Sequence, residues 1–166
     1  MAEKPLSGRV ALITGGSRGL GKAMAIALAG GGANLALVAR DKAKLEETAA
    51  AVQAAGSEAK IFVADVAKEA EVTRLQAEVK DAFGEVNILI NNAGMNLRKN
   101  LVDFTLEEWT RAMDTNLTSV FLMCRAFIPL MTGKGYGRIL NMTSIMSHVS
   151  LPQRTAYSTS KAAILG

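Results

Sequence analysis

The sequence predicts a doubly wound α/β domain, and three observations predict it. Short apolar runs alternate with longer stretches of helical period from end to end. The runs are near-continuous in Val, Ile, Leu and Ala, as strands are when both faces of a parallel sheet are covered. The first of them, Val10-Ala11-Leu12-Ile13, enters a glycine turn at residues 14–21 that opens a helix. Repeated β-α units with right-handed crossovers give a parallel sheet with helices on both faces.

Strands are expected at 9–14, 35–39, 60–63, 86–90 and 137–142. Between them, residues 19–29, 42–54 and 69–83 carry the helical period. Leu45, Ala49, Val52 and Ala55 share one face of the second helix, and Val72, Leu75, Val79 and Phe83 share one face of the third. Gly30-Gly31-Gly32 and Gly56 suit helix C-caps. Thr105-Leu106-Glu107-Glu108 is a capping box, with the Thr hydroxyl accepting from the Glu108 N–H while Glu108 reaches back. It starts a helical stretch running toward Pro129, broken around 114–117.

Composition narrows the class. At 166 residues a single domain, 1–166, is expected, and 49% hydrophobic residues with a mean hydropathy of +0.20 exclude a disordered chain. No apolar run reaches the length of a membrane span and the N-terminus lacks a signal-peptide core, so a cytoplasmic setting is expected. Cys124 alone cannot form an internal disulfide, and one His with one Cys predicts no metal cluster. The net charge of +4 is scattered, without a basic stripe for nucleic acid. A polyanionic small ligand is the more economical partner.

Ligands of such sheets sit beyond the carboxyl ends of the strands. The glycine turn follows strand one, and its spacing T-G-x-x-x-G-x-G departs from the familiar G-x-G-x-x-G. Gly15, Ser17, Arg18, Gly19 and Leu20 are nonetheless placed to meet a phosphate at a helix N-terminus. After strand two stands Arg40, with no acid at 38–40, and Asp41 reads as the cap of the next helix. Arg40 with Arg18 favours a 2′-phosphate, hence NADP over NAD; two solvated surface arginines are the alternative. Asp65 and Val66 follow strand three, and Asn91, Asn92, Ala93 and Gly94 follow strand four, where small residues allow a flat ring to approach closely.

After strand five come Ser144 and, thirteen residues later, Tyr157-Ser158-Thr159-Ser160-Lys161. On a helix, Tyr157 and Lys161 lie one turn apart on the same face. A phenol is a poor acid–base group at neutral pH, and a neighbouring ammonium favours the phenolate. Ser144 could hydrogen-bond the substrate oxygen that Tyr157 protonates. Taken alone, Y-x-x-x-K is also ordinary helix surface.

Together these residues resemble the short-chain dehydrogenase/reductase family. The resemblance runs from Arg9 to Gly166 and rests on T-G-G-S-R-G-L-G at 14–21, Asp65, N-N-A-G at 91–94, Asn116, Ser144 and Y-S-T-S-K at 157–161. It implies a Rossmann-type sheet in the order 3-2-1-4-5, five of the family's seven strands. It also implies Tyr157 as proton donor or acceptor and Ser144 as its positioning partner. Lys161 would hold the nicotinamide ribose, and Asn116 would break its helix and hold a water in a proton relay. Hydride then passes between nicotinamide and a carbonyl or secondary alcohol.

Asn96-Leu97-Arg98-Lys99 and the 143–152 loop look similar to gluconate 5-dehydrogenase-like and 3-oxoacyl-acyl-carrier-protein reductase-like members. A keto sugar acid or a 3-oxoacyl thioester is the substrate class this implies, with Arg98 and Lys99 facing an anion or solvent. Met95, Met113, Met123, Met131, Met142 and Met146 read as core filler or pocket lining. Cys124 reads as a buried, inert thiol, and His148 as a polar loop residue bordering the substrate or facing solvent. Family members are commonly homodimers or homotetramers through the helices holding Asn116 and Tyr157.

The sequence stops shortly after Lys161, where family members continue through two further strands. The domain is therefore expected to be incomplete at its C-terminus, with the fifth strand as an apolar edge. Poor solubility or negligible turnover is expected of these residues alone. The rival reading is a dinucleotide-binding fragment without turnover.

Overall fold

The computed structural model describes residues 4–165. Five parallel strands, β1 (Val10–Thr14), β2 (Asn34–Ala39), β3 (Ala59–Val63), β4 (Ile88–Asn91) and β5 (Arg138–Asn141), form one sheet in the order β3-β2-β1-β4-β5. The helices are α1 (Gly19–Gly30), α2 (Lys42–Ala54), α3 (Glu69–Phe83), α4 (Leu106–Met113), α5 (Ser119–Met131) and α6 (Thr155–Ala163). The expected fold class and strand order are those observed.

Alternate side chains of β1, β2 and β4 feed opposite cores, as the pleat dictates. Ala11, Ile13, Leu35, Leu37, Ile88 and Ile90 pack against α1 and α2. Leu12, Ala36, Val38, Phe62 and Leu89 pack against the apolar stripes of α3 and α5. Phe127 of α5 is fully buried and fills the centre of that second core. Phe127→Ala is expected to destabilise the fold by about 3–5 kcal/mol, read as a lower denaturation midpoint in urea. A loss below about 1 kcal/mol would mean that α5 repacks.

One expectation is corrected. Pro129 does not end its helix: α5 runs to Met131 with Pro129 inside its last turn. The glycine triplet closes α1 as expected: Gly31 caps in a right-handed conformation and the reversal falls on Gly32, at φ +94°. All four residues of β5 are exposed, as expected of an edge strand, whereas β1, β2 and β4 are covered.

The break expected around 114–117 is a π-helical turn, Asp114–Thr118, joining α4 to α5. The capping box at Thr105 forms as read, both of its hydrogen bonds being present. No helix among the described residues is long and apolar enough to cross a membrane.

Candidate active site

The chain turns from β1 into α1 without a side-chain cap. Arg18 occupies the N-cap position with its side chain exposed, and no acidic residue stands in the first turn. The N–H groups of Gly19, Leu20 and Gly21 therefore face outward without helical partners. Gly15 and Gly19 adopt φ of +66° and +55°. A Cβ at Gly21 would stand 2.2 Å from the Gly15 carbonyl oxygen, so α1 can approach the turn this closely only through glycine.

Thr14 anchors this turn to the loop after β4. Its buried hydroxyl accepts the N–H groups of both Asn92 and Ala93, each at 3.0 Å. The Asn92 amide donates back to the carbonyls of Thr14, at 3.0 Å, and Gly15, at 3.3 Å. Asn92 thus shapes the cradle through contacts with the turn. Asn91 points elsewhere, donating to Asn141 Oδ1 at 2.9 Å and to Cys124 Sγ at 3.5 Å. Cys124 is half-buried rather than fully buried, and burial pushes its thiol pKa up.

Over these groups lies a cavity of about 610 Å³ at the carboxyl ends of the strands. It gathers every residue expected to bind a dinucleotide except Tyr157 and Lys161. The glycine turn, Arg40 and Asp65 line it together with Asn92, Ala93 and Gly94. Arg40 is largely exposed and 3.9 Å from Asp65, a loose solvated pair, while Asp65 Oδ1 takes the Ala67 N–H at 3.1 Å. Asp41 caps α2 as expected, accepting the Lys44 N–H at 3.2 Å, and this bond holds its carboxyl below the usual range. Lys44 and Thr115 also line the cavity. Neither was legible, since nothing in the local pattern shows which residue of α2 or of the π-turn faces the cavity.

The four residues expected to carry chemistry come from three elements. Ser144 caps a short turn, Ile145–Ser147, and its hydroxyl accepts the Met146 N–H at 3.2 Å. Tyr157 is half-buried on α6. Lys161 is 5% exposed, its ammonium lies 5.9 Å from the Tyr157 ring centroid, and it donates to the Met142 carbonyl at the end of β5. Burial lowers the Lys161 pKa. Asn116, fully buried in the π-turn, gives one N–H to Met95 O and one to Ser160 Oγ, each at 2.9 Å, and accepts Met95 N–H at 2.7 Å. Both its N–H groups are spent on protein, so its side chain acts as a clamp on the 92–95 loop.

Lys99 departs from expectation. Its ammonium sits 2.7 Å from Glu108, the carboxylate that closes the capping box of α4, and its N–H bonds the Gln153 carbonyl. It ties the loop after β4 to α4 and to the 150–154 loop. Arg98 and His148 are exposed.

A family sequence model described as short chain dehydrogenase matches residues 9–166. A 3-oxoacyl-[acyl-carrier-protein] reductase of Synechocystis is 38% identical over 162 residues, which are 97% of this chain and 66% of that protein. Two crystal structures superpose at a TM-score of 0.93, each 34% identical and covering 98% of this chain. One is a metagenomic short-chain oxidoreductase in complex with NADP, of which the chain covers 74%. The other is NAD⁺-bound xylitol dehydrogenase, of which it covers 63%. The chain spans just under two thirds of the length of the first curated relatives, at 65–66%.

Proposed function

The chain belongs to the short-chain dehydrogenase family, and from that premise we propose that it serves an NADP(H)-dependent oxidoreductase interconverting a carbonyl and a secondary alcohol. The observation that carries the reading is convergence. A phosphate cradle of bare backbone N–H groups opens into the same cavity as the Asn92–Gly94 loop, and Asn116 and Lys161 meet that loop at Gly94. A Cβ at Gly94 would come within 3.3 Å of Asn116 Oδ1 and 3.8 Å of Lys161 Nζ.

The residues present fit a dinucleotide. The α1 N-terminus offers unpartnered donors to a pyrophosphate, and Arg18 and Arg40 offer charge to a 2′-phosphate. When bound, NADPH supplies the hydride. Tyr157 then gives its phenolic proton to the substrate oxygen, and Ser144 donates a hydrogen bond to that oxygen. Lys161 holds the nicotinamide ribose and, as a cation one helical turn away, favours the phenolate left on Tyr157.

For the substrate, a 3-oxoacyl thioester is favoured over a keto sugar acid. Lys99, one of the two cations in the loop after β4, is already committed to Glu108, and the Synechocystis relative is named for 3-oxoacyl chemistry. A homodimer or homotetramer through the helices of Asn116 and Tyr157, in the cytoplasm, belongs to the same proposal.

Fluorescence titration with NADPH and NADH, followed by turnover on acetoacetyl-coenzyme A, tests it. Arg40→Ala is expected to weaken NADPH by about 10-fold, the size of one charge-assisted hydrogen bond, and to leave NADH unchanged. Equal affinities of the unaltered protein for the two cofactors would sink the 2′-phosphate assignment. NADPH binding with no turnover on any ketone would favour the rival reading of a nucleotide-binding module.

A further inference from the structure

Ser160 precedes Lys161 on α6 and is fully buried. Its hydroxyl accepts one N–H of Asn116 at 2.9 Å and donates its own O–H to the Tyr157 carbonyl at 2.8 Å. Because the Asn116 group is an N–H donor, the direction of this chain of bonds is set: Asn116 to Ser160 to Tyr157. Asn116 in turn grips both backbone groups of Met95, which follows Gly94 of the cavity lining. Three segments distant in sequence thus meet at the Asn116 amide, with the Ser160 hydroxyl as its partner on α6: the loop after β4, the π-turn and the helix of Tyr157 and Lys161. Buried polar chains of this kind hold their members in a single arrangement when every group is satisfied. Among the described residues, no other side-chain hydrogen bond joins the π-turn to α6.

We infer that Ser160 is a positioning residue for the proton-transfer step: through Asn116 and the Tyr157 backbone it sets the register of α6 against the π-turn. The inference rests on the acid–base reading of Tyr157 above. Without the hydroxyl, one buried Asn116 N–H loses its acceptor. The clamp on Met95 and the seat of Tyr157 then loosen together. The loss falls on the chemical step and leaves dinucleotide binding at the glycine turn intact.

The test is a double-mutant cycle on the intact protein, following NADPH oxidation by acetoacetyl-coenzyme A. Ser160→Ala is expected to lower kcat by about 10-fold, the order of effect of a sub-ångström misplacement, with the NADPH Kd unchanged. Ser160→Thr, which keeps the hydroxyl, is expected to retain most of the rate. Asn116→Ala combined with Ser160→Ala is expected to be no slower than Asn116→Ala alone, because the two act through one contact. Additive losses, or a Ser160→Thr variant as slow as Ser160→Ala, would overturn the role. Tyr157→Phe run alongside separates the two levels. If that variant keeps full turnover, the acid–base reading falls and takes Ser160 with it. If it is inactive while the cycle is additive, only Ser160 falls.

Discussion

Tyr157→Phe is expected to cut turnover by about 10²- to 10⁴-fold, the range over which a positioned general acid contributes, while NADPH still binds. The substitution removes one oxygen from a half-buried ring and leaves α6 intact, since among the described residues no hydrogen bond uses the phenolic group. Its ring stays against Lys161, whose ammonium is held by the Met142 carbonyl and not by the phenol. The cradle at α1 lies elsewhere in the cavity. Stopped-flow NADPH oxidation and fluorescence titration on the same preparations separate the two effects. A variant that keeps the rate would remove Tyr157 from the chemistry, and one that loses NADPH as well would place it in binding.

Gly21→Ala is expected to abolish cofactor binding. The added Cβ would lie 2.2 Å from the Gly15 carbonyl oxygen and 2.8 Å from Asn92 Nδ2. Neither neighbour can yield alone. Gly15 is held at φ +66°, and the Asn92 amide is tied to the carbonyls of Thr14 and Gly15. Either α1 moves away from the turn or the turn opens, and both displace the N–H groups that face the phosphates. A stability loss of about 1–3 kcal/mol from overpacking accompanies it. Gly30→Ala serves as the control within the same helix. Open space surrounds that position, so a gain of about 0.5–1 kcal/mol is expected from replacing a helical glycine. Differential scanning calorimetry and NADPH titration read both variants. Wild-type affinity in Gly21→Ala would show that the turn does not form the phosphate site.

The elements were legible because their signals are local. Helices α2 and α3 begin and end where their apolar period does, and Thr105 with Glu108 announces α4. The parallel order followed from the alternation of strand and helix together with the family resemblance. What was not legible depends on partners far apart in sequence. Thr14 takes two amides from residues 78 and 79 positions away, and Ser160 meets Asn116 across 44. A threonine beside a glycine turn or a serine before a lysine carries no mark of such partners. Lys99 was read as a free cation because charge shows in a sequence, whereas its pairing with Glu108 requires the loop to fold back on α4. The run at β5 likewise says what a strand needs to bury and not which element buries it.

The π-turn between α4 and α5 has a consequence for how this chain can vary. Such a turn carries one residue more than regular α-helix over the same span, and each residue rotates a helix by about 100°. Deleting any one of Asp114–Thr118 would straighten the helix and pull its two ends out of phase. Either Leu122, Met123 and Phe127 would leave the sheet, or Asn116 would leave Met95 and Ser160. Substitutions at Thr115, Leu117 and Thr118 carry no such penalty. Here it is the number of residues, more than their kind, that descent has to preserve.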